Sequence, residues 1–170
     1  MEKDYYLRSK TLKGRNSSLQ QVGGSSCEVV IKDFLSTNIG TREIMNKKKL
    51  LLYGTCMAEK HPNILEEYSE GRVALAVCLE RDHLNMVAFK LATMVKSANL
   101  EEIAVLTVDG SPHCVQLHQT VSEVNRLFDD PPSTRYFVVE HSKIHEVDEK
   151  TVKTSRFLSK IEKLLRKGSK

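Results

Sequence analysis

Cys56, Cys78, Cys114, His113, His118, His141 and Asp109 are the residues of this chain whose types and placement could do chemistry. Thiolate sulfur is a preferred ligand of zinc and of the iron in iron–sulfur clusters. Three thiolates plus a histidine or carboxylate complete a four-coordinate shell. The three cysteines are 22 and 36 residues apart and form no C-x-x-C pair. Neighbourhood in sequence therefore does not unite them, and only the fold can.

The densest candidate stretch is Leu106 to His118. An apolar run ends at Asp109-Gly110, turns at Ser111-Pro112 and opens a helix carrying His113, Cys114 and His118. A cysteine in the first turn of a helix has its thiolate favoured by the helix dipole, so Cys114 leads as ligand or nucleophile. His113 or His141 would supply a fourth ligand or a proton. His118 is four residues beyond Cys114, on the face that carries Val121 and Phe128, where a histidine is a core residue more often than a ligand. Asp109 would orient the loop, although Asp-Gly-Ser-Pro is also ordinary turn and cap chemistry. The loops Gly54-Thr55 and Asp109-Gly110-Ser111 lead into helix N-termini, whose free N–H groups can hold a small anionic ligand. Neither G-x-G-x-x-G nor G-x-x-x-x-G-K-[ST] is present, which disfavours a dinucleotide or an ordinary P-loop nucleotide.

Four apolar runs must position these residues: Leu50 to Tyr53, Val73 to Leu79, Ile103 to Val108 and Tyr136 to Val139. None alternates, so each reads as a strand buried on both faces, the mark of a parallel sheet. Helices are expected between them. Pro62 opens the first, Asp82 caps the second and Ser111-Pro112 opens the third. Asp148 caps a last helix with Val152, Leu158, Ile161, Leu164 and Leu165 inward. A short helix over residues 26–36 and a turn or two from Thr41 precede the first strand. Strand–helix repeated four times predicts a three-layer α/β sandwich with a four-stranded, mainly parallel sheet of Rossmann-like or flavodoxin-like type. Ligands of such sheets bind beyond the carboxyl ends of the strands. That edge would collect Gly54-Thr55-Cys56, Cys78-Leu-Glu80-Arg81-Asp82, Asp109 to Cys114, and Glu140-His141.

Length and composition bound the rest. The 170 residues suit one domain over 26–170, preceded by a flexible basic arm over 1–25. Residues 1–49 carry +5, residues 50–150 carry −7 and residues 151–170 carry +6. The basic ends could meet an acidic protein partner. With aromatics at 6% and no helix-turn-helix pattern, nucleic-acid binding is disfavoured. No apolar stretch approaches the ~20 residues of a membrane span, and the start of the chain shows no signal-peptide core. Four scattered cysteines, with Cys27 read as a buried thiol, suit a reducing cytoplasm.

Thr107-Val-Asp-Gly-Ser-Pro-His-Cys-Val-Gln-Leu-His118, Leu52-Tyr-Gly-Thr-Cys56 and Ala76-Val-Cys78-Leu-Glu80 together resemble uncharacterised iron–sulfur-associated proteins of anaerobic microbes. Those proteins are often joined to, or encoded beside, ferredoxin-like modules. The resemblance covers roughly residues 50–141. The chain has no C-x-x-C-x-x-C run, so any cluster would have to use Cys56, Cys78 and Cys114. The expectation is a protein of redox or related metabolism that binds an iron–sulfur cluster or zinc, with the reaction left open. The alternatives are a non-catalytic interaction or regulatory domain with structural cysteines, and a binder of a small anionic molecule.

Overall fold

A computed structural model describes residues 31–168. The expected arm over 1–25, the start of the expected helix over 26–36, and Cys27 lie outside these residues. The elements run α1 (Arg42–Lys47), β1 (Lys49–Gly54), α2 (Cys56–Lys60), α3 (Pro62–Ser69), β2 (Val73–Val77), α4 (Leu84–Ala98), β3 (Glu102–Val108), α5 (Pro112–Asn125), β4 (Ser133–Glu140), β5 (Lys143–Val147), α6 (Glu149–Thr154) and α7 (Leu158–Gly168). Five strands form one sheet in the order β2-β1-β3-β4-β5. The first four are parallel and β5 is antiparallel to β4.

Each of β1 to β4 buries both faces. Leu50 and Leu52 of β1, Ile103 and Val105 of β3, and Tyr136 of β4 pack with Val87 and Leu91 of α4, Leu117 and Val121 of α5, and Val152 of α6. On the other face, Leu51, Tyr53, Leu106 and Phe137 meet Met57 of α2 and Leu65 of α3. The connection β1-to-β2 steps outward one way, and β2-to-β3 and β3-to-β4 step the other way. Crossovers of one hand then put α2 and α3 on one face and α4 and α5 on the opposite face. The step reverses between β1 and β3, and there the sheet opens a crevice at its carboxyl edge.

Local chemistry explains most of the boundaries. Pro62 occupies the first turn of α3. Ser111 Oγ accepts the Cys114 N–H at the start of α5, and Asp148 accepts the Thr151 N–H at the start of α6. Lys48 and Asn99, both in the left-handed region, end α1 and α4. Arg72 and Glu102 pair at 2.6 Å, tying β2 to β3 across the amino ends of the sheet.

Several expectations are corrected. The sheet has a fifth strand, because His141 (φ 46°) and Ser142 (φ 62°) both take positive φ and turn the chain back along β4. In the described part of the expected helix over 26–36, Asp33 instead bridges Ala76 as an addition to the edge of β2, and Ile31 is exposed. The cap of α4 is His83, since Asp82 is engaged with Arg81 and the Cys78 N–H. The single last helix is two. The chain breaks after α6, which buries Val152, and α7 then runs with no buried residue. Leu158, Leu164 and Leu165 face outward, not inward. Among the described residues, no helix is long and apolar enough to cross a membrane.

Two truncations test this layering. Leu52→Ala, in a central strand and fully buried, should cost about 3 kcal/mol in urea unfolding. Leu158→Ala on α7, 79% exposed, should change stability by less than about 0.5 kcal/mol. Equal costs would contradict the assignment of α7 to the solvent.

Candidate functional site

The crevice between β1 and β3 brings the three cysteines to one pocket of about 50 Å3, lined also by Glu80, Ser111, His113 and Leu117. Each cysteine arrives by a different route. Cys56 is the first residue of α2, immediately after the turn that follows β1, and is exposed. Cys78 directly follows β2 and is half-buried. Cys114 lies in the first turn of α5, also half-buried. The Thr55 N–H donates to the Val77 carbonyl at 3.1 Å, which holds the end of β1 against the end of β2. Gly54 packs beside the site: a Cβ on it would meet Cys114 Sγ at 3.6 Å and the Thr107 side chain at 3.8 Å, in ordinary van der Waals contact.

The loop after β2 is braced by charge. Arg81 pairs with both Asp33 and Asp82, and Asp82 accepts the Cys78 N–H at 3.2 Å. The Arg81 guanidinium holds the Asp82 carboxyl below its usual range, against the opposing effect of burial. The backbone at Cys78 is therefore fixed by an ionised partner. At the mouth of the pocket, His113 Nδ1 stands 3.9 Å from Glu80 Oε2.

Cys114 differs from expectation. Burial pushes its thiol above the ordinary cysteine value, and nearby Cys56 adds to the rise. The Ser111 and Thr107 hydroxyls and the Val108 backbone act the other way without prevailing. Desolvation outweighs these hydrogen bonds, and the first-turn position does not overcome it. Cys114 is thus a protonated thiol at neutral pH and a poor free nucleophile. A bound metal would reverse that balance, since a coordinating thiol is deprotonated outright.

The remaining candidates divide. Gly54, Thr55 and Ser111 line the thiol pocket with the cysteines. Asp109 and the exposed Gly110 (φ 78°) are absent from its lining. His141 is at the tip of the β4–β5 turn with its side chain 91% exposed, and it does not join the cysteines. Among the described residues, no group of three or more His, Cys, Asp and Glu side chains is arranged to hold a single metal ion. Glu80 belongs to the pocket although sequence reasoning placed it only at the strand end. Its signal was its position two residues beyond Cys78. Thr107 was missed as well, and its signal was that of a lone hydroxyl near the end of the apolar run of β3.

His118 is the core histidine its helical position implied. It is 4% exposed, stacks obliquely on Tyr136 and shares a 2.9 Å hydrogen bond between Nε2 and Thr107 Oγ1. Burial lowers its pKa to about 4, with Asp109 opposing slightly. In the unfolded chain the ring would titrate near 6.5. The unfolded state therefore binds the extra proton first, and stability falls as pH drops from about 6.5 towards 4. The expected loss over that window is roughly 3 kcal/mol. Denaturant unfolding at several pH values should show this slope, and His118→Gln should remove it. A ring proton titration near 6.5 in the folded protein would contradict the buried neutral state.

The comparisons with known proteins agree with this architecture. A family model described as a Rossmann-like domain matches residues 43–168, from α1 through α7. That description is of a fold and names no iron–sulfur group. No curated protein and no solved structure matches the chain. The match takes in every strand of the sheet and all three cysteines of the pocket, and the chain belongs to this Rossmann-like domain family.

Proposed function

We propose that the pocket at the β1–β3 crevice holds a thiophilic metal group through Cys56, Cys78 and Cys114, in a protein of redox or related metabolism. The observation that carries the reading is the convergence of three cysteines, 22 and 36 residues apart, on one small pocket at the position where sheets of this type bind ligands. The donor set favours a soft cation. Glu80 in the lining gives the pocket a carboxylate, which opposes a small anion. An iron–sulfur cluster fits better than one zinc ion, because it spreads its thiolate ligands over several metal atoms while zinc draws four donors to about 2.3 Å from one centre. His113 or Glu80, both in the lining, would complete the shell. Free thiols of this kind belong in a reducing compartment such as the cytoplasm.

A second reading is an interaction domain whose cysteines are core thiols. It rests on the half-burial of Cys114 and on the outward-facing α7, whose last turn carries Arg166, paired with Glu162, and Lys167, and would meet an acidic partner.

Anaerobic reconstitution with ferrous iron and sulfide, alongside zinc alone, separates the two. The metal reading expects several irons per chain with a visible charge-transfer band. Both should be lost in Cys114→Ser and Cys56→Ser proteins whose circular dichroism is unchanged. Metal loading should also weaken as pH falls, since protons compete for the thiolates. Sub-stoichiometric iron and zinc in the wild type and in Cys114→Ser alike would overturn it.

A further inference from the structure

A second cavity, of about 380 Å3, lies between α5, α6 and the β4–β5 hairpin and shares no lining residue with the thiol pocket. We propose that it binds a small molecule bearing a protonated amine, held by Asp109, Glu140 and His118. Its volume is within the usual range for small-molecule sites, whereas the thiol pocket is far below it. Val138 and Val147 form part of an apolar wall suited to an alkyl or ring portion of the ligand. The polar groups gather toward the carboxyl ends of β3 and β4, where Asp109 and Glu140 are found.

The buried polar group of the cavity is His118. The side chain is 4% exposed, and Nε2 is committed to Thr107 while Nδ1 has no hydrogen-bond partner. Buried polar atoms are nearly always satisfied, so an orphan at a cavity wall asks for a ligand atom or water. In the tautomer that donates Nε2–H to Thr107, Nδ1 offers a lone pair and calls for a donor, and a cationic ligand at the two carboxylates selects that tautomer. The two carboxylates select the same chemistry. Among the described residues, no lysine or arginine pairs with Asp109 or Glu140, and no lysine or arginine lines the cavity. Glu140 lies within 4 Å of His141 and His145, each at 3.9 Å, and Lys143 stands opposite it in the β4–β5 register without forming an ion pair among the described residues. A cationic N–H donor meets both demands. An anion would meet two carboxylates.

The test uses the full chain and three probes of matched length: n-butylamine, n-butanol and n-butyrate. Amide shifts of Val138, Val147 and Thr151 are followed in a nitrogen–proton correlation titration at pH 7.5. Butylamine should produce saturable shifts at those residues, about tenfold tighter than butanol, with butyrate inert. Asp109→Asn and Glu140→Gln, both at exposed positions, should each weaken butylamine by about fivefold without altering the unfolding midpoint by much. The proposal is overturned if butylamine binds no better than butyrate, or if its shifts map elsewhere. It is equally overturned if the double variant binds butylamine unchanged. None of these readouts depends on metal, so they stand apart from the fate of the thiol pocket.

Discussion

The pairing of β1 with β3 is the constraint on which the rest of this molecule depends. These strands are distant in sequence yet adjacent in the sheet, with Leu50 beside Ile103 and Tyr53 beside Leu106. The ladder continues backwards through the Lys48 carbonyl, which accepts the Glu101 and Glu102 N–H groups. Because β2 flanks β1 on its other side, the chain must reverse its direction of travel here. The reversal separates the helices onto two faces and leaves the carboxyl ends of β1 and β3 without a helix crossing over them. Cys56 and Cys114 reach the same pocket only because of it.

Burial then sets the chemistry. The sheet is apolar on both faces, so polar groups tucked beneath its carboxyl edge, Cys114 and His118 among them, sit beside low-dielectric surroundings. That environment keeps the Cys114 thiol protonated and His118 neutral, by the same penalty on charge acting on an acid and a base. Asp82 escapes because Arg81 supplies a full opposite charge. The contrast explains why the loop after β2 is fixed by ions while the loop after β3 is fixed by caps and hydroxyls. Ser111 closes the first turn of α5, and Thr107 reaches the groups behind it.

Sequence patterning made the layered fold legible, since four uninterrupted apolar runs leave little alternative to a covered parallel sheet. It also located the carboxyl edge, and with it all three cysteines. What escaped it followed from non-local causes. The β5 strand was hidden because its turn uses His141-Ser142 in place of Asn-Gly, and because Lys143, His145 and Glu146 of this edge strand give it no apolar run. The helical period around Phe34 was real but was overridden by backbone pairing to Ala76. Leucine spacing in α7 marked an amphipathic helix without saying which surface it would face, and the described structure turns it outward. The sign of the Cys114 shift could not be read at all, because it depends on how deeply α5 seats against β3.

Thr107 stands between His118, at the wall of the larger cavity, and Cys114, in the lining of the smaller one. It is the only fully buried polar residue of β3, and its side chain is shared between the Nε2 of His118 and the neighbourhood of Cys114. A threonine hydroxyl has one proton to donate and can accept others. If that proton turns toward the sulfur, His118 must donate through Nε2 and present a bare lone pair at Nδ1. If it turns toward the ring, the sulfur loses a donor and Nδ1 carries the ring proton. The hydrogen bond offered to the Cys114 sulfur and the tautomer of the histidine beneath the next cavity are therefore alternatives of a single hydroxyl. Valine would fill the same space but leave His118 Nε2 buried without a partner, so the hydroxyl at 107 is held in place by the buried histidine it satisfies.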